Sequence, residues 1–299
     1  MILDRVVAHS LPFVPKTVVR KVASRYIAGE TLDEALDVAA GLNRQGMSAT
    51  LDVLGEHIHN IDQARRAVSQ YLQVLEHIHS RKLDANVSIK LTQLGLKVDW
   101  TACLELTSRL VKHARQLNNF VRIDMEDSSC TTDTLRLYRE LRKEHSNVGV
   151  VIQAYLHRTA QDVADLQDLH PNFRLCKGVY VEPPEIAYHD MRDINRNYLS
   201  ILETLLRNGS YVGIATHDEA IIAEAFRLIR EMKLPRTAYE FQMLLGVNEQ
   251  LRNRIVAAGH KLRVYIPYGR DWYAYSVRRL RENPRLAGYV FKAMLRRRN

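Results

Sequence analysis

The sequence predicts an α/β protein built as a (β/α)8 TIM barrel with N-terminal helices ahead of the first strand, and three observations carry that expectation. From about residue 48, short β-rich runs alternate with amphipathic helical patterns almost to the end of the chain, as βαβ units do. About eight such runs fall within roughly 250 residues, the size of a single barrel. No Pro/Gly/Ser-rich linker divides them, and neither G-x-G-x-x-G nor G-x-x-x-x-G-K-[ST] occurs, so the glycine-rich first turn of a doubly wound sheet is missing.

Taken in order, residues 1–45 read as a helical segment packing on a barrel of residues 46–299, and Thr31 to Glu34 (TLDE) reads as a capping box that opens a helix. The expected strands are SATLDVLG (48–55), NVSIKLT (86–92), NFVRIDME (119–126), NVGVVIQAY (147–155), NFRLCKGVYV (172–181), YVGIATHD (211–218), RTAYEFQML (236–244) and KLRVYIP (261–267). Helical stripes lie between them. After Asn60 the stripe is Ile61, Ala64, Val68, Tyr71, Leu72, Leu75 and Ile78; after Asp218 it is Ile221, Ala225, Leu228, Ile229 and Met232.

The composition, 46% hydrophobic and 26% charged over 299 residues, is that of a soluble globular protein. Cys103, Cys130 and Cys176 are far apart with no C-x-x-C pairing, which points to a reducing compartment. The N-terminus makes a poor signal peptide, and no apolar run approaches the roughly 20 residues of a spanning helix. A cytoplasmic protein is expected. The net charge of +9 suits an anionic substrate, nucleic acid or a membrane surface, and Arg296, Arg297 and Arg298 are the one basic cluster that would hold it peripherally on the inner face of the cell membrane.

In a barrel, active-site residues end the strands. Polar residues do end these apolar runs: Lys90, Asp124, Glu126, Gln153, Arg174, Lys177, Thr216, His217, Glu240, Gln242 and Tyr265. Each alone reads as a solvated loop entry or a helix cap; their recurrence at one end of successive strands is the signal. The histidines form no H-E-x-x-H, and His57 and His59 stand at i, i+2, so no metal is assigned. No G-x-S-x-G elbow is present. What remains is a cationic cup of Lys90, Arg174, Lys177, Arg278 and Arg279 opposed by Asp124, suited to a small carboxylate and a phosphorylated cofactor. Arg278, Arg279, Arg281 and Glu282 also read as a solvated helix face.

The ordered motifs IKLTQLG, RIDME, RLCKGVYVEP, ATHD, YEFQMLLG and YIPYG followed by YSVRRLREN resemble those of the proline dehydrogenase (proline oxidase) family, from about residue 45 to about residue 285. The resemblance implies a distorted (β/α)8 barrel that binds FAD without a Rossmann domain. It implies oxidation of L-proline to Δ1-pyrroline-5-carboxylate by hydride transfer to flavin N5, with electrons passed to a membrane quinone. It further implies that Arg278, Arg279 and Lys90 hold the proline carboxylate, with Glu282 orienting the arginines. Asp124 would sit near the amine, and Arg174 near the reactive edge of the flavin. Tyr180, Leu244, Tyr265 and Tyr275 would line the ring pocket, and Met125, Gln153, Arg174, Lys177, Gly178, Val179, Thr216 and His217 would contact the cofactor. Val179 and Cys176 depart from the commoner small and aliphatic residues of the family pattern. The chain has no room for the fused aldehyde dehydrogenase and DNA-binding domains of some members, so a separate pyrroline-5-carboxylate dehydrogenase is the expected downstream enzyme.

Two other readings stay open on the residues alone. In an aldolase or lyase, Lys90 or Lys177 would form a Schiff base and the arginines would bind phosphate. In a basic binding protein, affinity would be steeply salt-dependent. The aromatics are not interleaved with basic residues as a stacking platform requires, so no nucleic-acid partner is expected.

Overall fold

Buried parallel strands read as continuous apolar, β-branched runs because both of their faces are covered, and the runs above form strands on those terms. The computed structural model describes residues 25–55, 58–273 and 276. In chain order the elements are α1 (Leu32–Arg44), β1 (Ser48–Val53), α2 (Ile61–Ser80), β2 (Ala85–Ile89), α3 (Trp100–Gln116), β3 (Val121–Ile123), α4 (Ser128–Arg142) and β4 (Val148–Gln153). They continue with α5 (Thr159–Asp165), β5 (Asn172–Cys176), α6 (Met191–Arg207), β6 (Tyr211–Ala215), α7 (Glu219–Glu231), β7 (Tyr239–Leu244), α8 (Glu249–Ala257) and β8 (Leu262–Tyr268). The strands close in sequence order, all parallel, β8 pairing back onto β1 through Thr50 opposite Tyr265.

The helices start where a side chain can take the first unpaired N–H groups, each such cap contributing about 1 kcal/mol. Thr31 and Glu34 make the expected capping box at α1, and Asn60 and Gln63 make another at α2. Asp99, Asp127, Asp190 and Asp218 cap α3, α4, α6 and α7. On α2 the buried face carries Ala64, Val68, Tyr71, Leu75 and Ile78 as expected; Ala67 and Val74 complete it, while Ile61 and Leu72 are half-buried. α1 packs on β1 and β8. No helix among the described residues is long and apolar enough to cross a membrane.

The lumen departs from the usual packing of such barrels, which is branched aliphatic side chains in layers. Arg174 of β5 bonds Ser88 of β2, Asp124 just past β3 and Gln242 of β7. None of these strands adjoins β5, so the side chains meet across the lumen. Asp52, Lys90, Arg122, Glu240 and Arg263 join them there, all buried or nearly so. Glu240, grouped by the sequence with the strand-end residues, is the second residue of β7 and pairs with Arg263, the second of β8, so it belongs to the N-terminal half of the lumen. Burial, with Arg174 nearby, pushes the Arg122 guanidinium down to about 9.

Candidate active site

A cavity of about 400 Å³ opens where the strands end. It is lined by Lys90, Asp124, Met125, Gln153, Arg174, Lys177, Gly178, Val179, Tyr180, Thr216, His217, Leu244 and Tyr265, so the fold brings these residues, expected from sequence, to one place. Tyr275, Arg278, Arg279 and Glu282, the rest of that set, lie outside the described residues. A second cavity of about 430 Å³ at the opposite mouth is lined by Arg122, Glu240 and Arg263, away from the strand ends where barrel chemistry sits.

Asp124 is the hub of the floor. Its Oδ1 accepts from Ser88 Oγ (2.6 Å) and Arg174 NH1 (2.7 Å), and its Oδ2 from the Tyr265 hydroxyl (2.7 Å). The Arg174 guanidinium also lies 5.2 Å from the centre of the Tyr265 ring, a cation–π contact that holds both in place. Lys90 Nζ donates to both oxygens of Asp52 at 2.9 Å and stands 3.9 Å from Asp124. Asp52 is fully buried; burial pushes its carboxyl up, Lys90 pulls it down, Asp124 pushes it up, and the net direction is upward.

The wall is ordered in the same way. Lys177 Nζ donates to Asp218 Oδ2 at 2.7 Å, while Asp218 Oδ1 caps α7. Thr216 Oγ1 accepts the Asp218 N–H at 3.1 Å. The Leu244 N–H donates to His217 Nε2 at 2.9 Å, which fixes the neutral tautomer with its proton on Nδ1. Gln153 is 2% exposed, and its Oε1 has no hydrogen-bond partner among the described residues. Gly178 has φ +112°, and a Cβ there would enter the Tyr155 ring, so only glycine lets the backbone pass at this point.

Each described cation of the expected cup is thus matched by a carboxylate: Lys90 by Asp52, Arg174 by Asp124, Lys177 by Asp218. That arrangement is the opposite of the desolvated, uncompensated amine that Schiff-base chemistry uses, and it counts against the aldolase reading. Sequence reasoning missed Asp52, Ser88 and Asp218 as members of the site. Asp52 is the one charged residue inside the run SATLDVLG, and a carboxylate within an otherwise uncharged strand was the available signal.

Comparison with known proteins agrees with this geometry. The proline dehydrogenase family matches residues 35–290. Proline dehydrogenase 1 of Bacillus subtilis (strain 168) is 37% identical over 275 residues, 92% of this chain and 91% of that protein. The proline dehydrogenase of Deinococcus radiodurans is 38% identical over 279 residues, 92% of this chain and 90% of that protein. A crystal structure of proline utilization A (PutA) from Bdellovibrio bacteriovorus, inactivated by N-propargylglycine, superposes with a TM-score of 0.80 at 26% identity, covering 87% of this chain and 32% of that one. A barrel with a polar, carboxylate-matched cavity at its strand ends, together with these matches along nearly the whole chain, shows that the chain belongs to the proline dehydrogenase family of oxidoreductases.

Proposed function

We propose that this chain oxidises L-proline to Δ1-pyrroline-5-carboxylate with FAD bound in the cavity at the strand ends, the first step of proline degradation to glutamate. The observation that carries the reading is the Asp124 hub, a carboxylate held by Ser88, Arg174 and Tyr265 beside Lys90 on the cavity floor. Such a hub can accept a hydrogen bond from a neutral secondary amine on one side and keep a guanidinium aimed at a reacting centre on the other.

The residues fit a flavin. Gln153 Oε1, without a partner among the described residues, suits an N–H donor from a ligand. The Gly178 turn lets a ligand approach the backbone of Lys177, Gly178 and Val179, and the Lys177 ammonium offers a charge for phosphate. Met125, Thr216, His217 and Arg174 complete the set assigned to the cofactor. FAD held there would supply the two-electron acceptor, taking at N5 the hydride that leaves the ring carbon beside nitrogen as the nitrogen lone pair forms the C=N bond, and passing the electrons to a membrane quinone.

The chain's own residues do the rest. Arg278 and Arg279, oriented by Glu282, hold the proline carboxylate with Lys90, and Asp52 keeps the Lys90 ammonium at the floor. Asp124 accepts the hydrogen bond of the substrate amine. Tyr180, Leu244, Tyr265 and Tyr275 pack on the ring, fixing it for transfer and excluding water. Of the helical segment expected over residues 1–45 on a barrel of residues 46–299, residues 1–24 lie outside the described residues, as do Arg296 to Arg298. A separate dehydrogenase for pyrroline-5-carboxylate consumes the product, and nucleic acid is no partner. The enzyme works in the cytoplasm, with Arg296 to Arg298 drawing it to anionic lipid on the inner face of the cell membrane; equal co-sedimentation with neutral and anionic vesicles at low salt would remove that last part.

The test is anaerobic. Purified protein reconstituted with FAD should show flavin absorbance that proline bleaches and that acid releases. A protein that binds no FAD, or whose bound flavin proline does not reduce, would sink the reading.

A further inference from the structure

One line of polar side chains runs through the lumen from the cavity floor to the opposite mouth. Arg263 Nε donates to Glu240 Oε1 at 2.8 Å, and Gln242 Nε2 donates to the same oxygen at 2.6 Å. Gln242 Oε1 accepts from Arg174 Nε at 2.5 Å, and Arg174 NH1 reaches Asp124 at 2.7 Å. A guanidinium only donates and an ionised carboxylate only accepts, so a single orientation of the amide satisfies both neighbours. Flipped, it would set N–H against N–H and oxygen against oxygen among side chains that are 4–6% exposed. Burial pushes the Glu240 carboxyl up, but Arg263 and the Gln242 amide outweigh this and leave it below its ordinary range, hence ionised. Gly213 on β6 makes the room, since a Cβ there would lie 2.5 Å from Gln242 Nε2.

We propose that Glu240 is a positioning residue for Arg174, orienting the Gln242 amide so that its oxygen holds the guanidinium against Asp124 at the cavity floor. The inference rests on Arg174 standing beside the reacting atoms. Glu240 is 4% exposed and lines the opposite cavity, whereas Gln242 and Arg174 line the one at the strand ends, so the hydrogen-bonded route from Glu240 to that cavity runs through Gln242 and Arg174.

The test uses FAD-loaded protein and reads the anaerobic rate of flavin reduction by proline, with the Kd of a non-oxidisable cyclic carboxylate analogue beside it. Glu240→Gln, Gln242→Met and Arg174→Met are made singly, and the first two again in the Arg174→Met background. Displacing a reacting group by about 1 Å can cost up to about 100-fold. Glu240→Gln and Gln242→Met should therefore each slow reduction by about 10- to 100-fold, with the analogue Kd nearly unchanged. In the Arg174→Met background each should slow it by less than about twofold, because the group they position is gone. Wild-type reduction by both single variants, with Arg174→Met slow, overturns this inference alone. So does their full effect persisting in the Arg174→Met background, which is what a purely structural role gives. Wild-type reduction by Arg174→Met overturns the reading of the site itself. Should Glu240→Gln fail to fold because Arg263 loses its counter-charge, Gln242→Met, which leaves that pair intact, decides the question.

Discussion

Asp218 does two separable jobs, and substitutions can divide them. Its Oδ1 accepts the N–H groups of Ala220 (3.0 Å) and Ile221 (3.4 Å) at the start of α7, and its Oδ2 accepts from Lys177 Nζ (2.7 Å) and Asn195 Nδ2 (3.2 Å). Losing an N-cap costs about 0.5–2 kcal/mol, and losing a charge-assisted hydrogen bond about 1.5–3 kcal/mol. The Lys177 and Asp218 side chains are 22% and 26% exposed, which favours the lower half of the second range. Asp218→Ala should therefore destabilise by about 2–4 kcal/mol, and Asp218→Asn, which keeps a capping oxygen, by about 1–2 kcal/mol. Urea unfolding of FAD-free protein measures both. In a parallel titration, Asp218→Asn should weaken FAD binding by about tenfold, since Lys177 loses the carboxylate that aims it into the cavity. If the two variants are equally unstable to within about 0.5 kcal/mol, the cap contributes nothing measurable and the division of labour is refuted. Wild-type stability and FAD affinity in Asp218→Asn would refute the role of the ion pair.

Further expectations follow from the same site and from the core. Burial pushes the Asp218 carboxyl up, but Lys177 and the helix N–H groups outweigh this and hold it below its ordinary 3.8, so the stability it lends is whole above that value and is lost as pH falls through its folded value. The stability gap between wild type and Asp218→Asn should accordingly be flat from about pH 7 to 5 and shrink below about pH 4 in urea titrations. Arg278→Met or Arg279→Met should lower kcat/KM for proline by roughly 10- to 150-fold, mostly through KM and with flavin retained; unchanged kinetics in both would favour a solvated helix face. Gly178→Ala should cost about 1–3 kcal/mol from backbone strain alone and, by displacing the Tyr155 ring, lower the flavin content of purified protein. Gly46→Ala, at φ +76° with nothing within 4 Å of the added carbon, should show the backbone cost only, and equal behaviour of the two would count against the Tyr155 contact. Burial pushes the Cys103 thiol up to about 12, so it should resist alkylation at about pH 8 until urea unfolds the protein; labelling of native protein at the rate of a free thiol would contradict that.

The sequence by itself determined the repeating units and the end of the barrel where chemistry gathers. Both are local properties: β-branched runs, helical stripes and capping residues act within about a dozen residues, and a polar residue closing an apolar strand is visible in a short window. On that basis Lys90, Asp124, Gln153, Lys177 and His217 could be assigned to one cavity before any fold was known. Only the tertiary structure decided the partners. Ser88 and Arg174 meet from 86 residues apart and Tyr265 and Asp124 from 141, because closure of the barrel sets β2, β3, β5 and β8 around one lumen. Nor could the sequence separate the lumen face of a strand from its helix-facing side, since both are buried in a parallel barrel and the alternation that marks a half-exposed strand is lost. Glu240 therefore read as a strand-end residue although it lies deep in the lumen, and Asp52 went unassigned although it holds Lys90 with both oxygens. Which carboxylate matches which cation depends on strand register and on distances of a few ångströms across the barrel, and those are set when all the strands have closed.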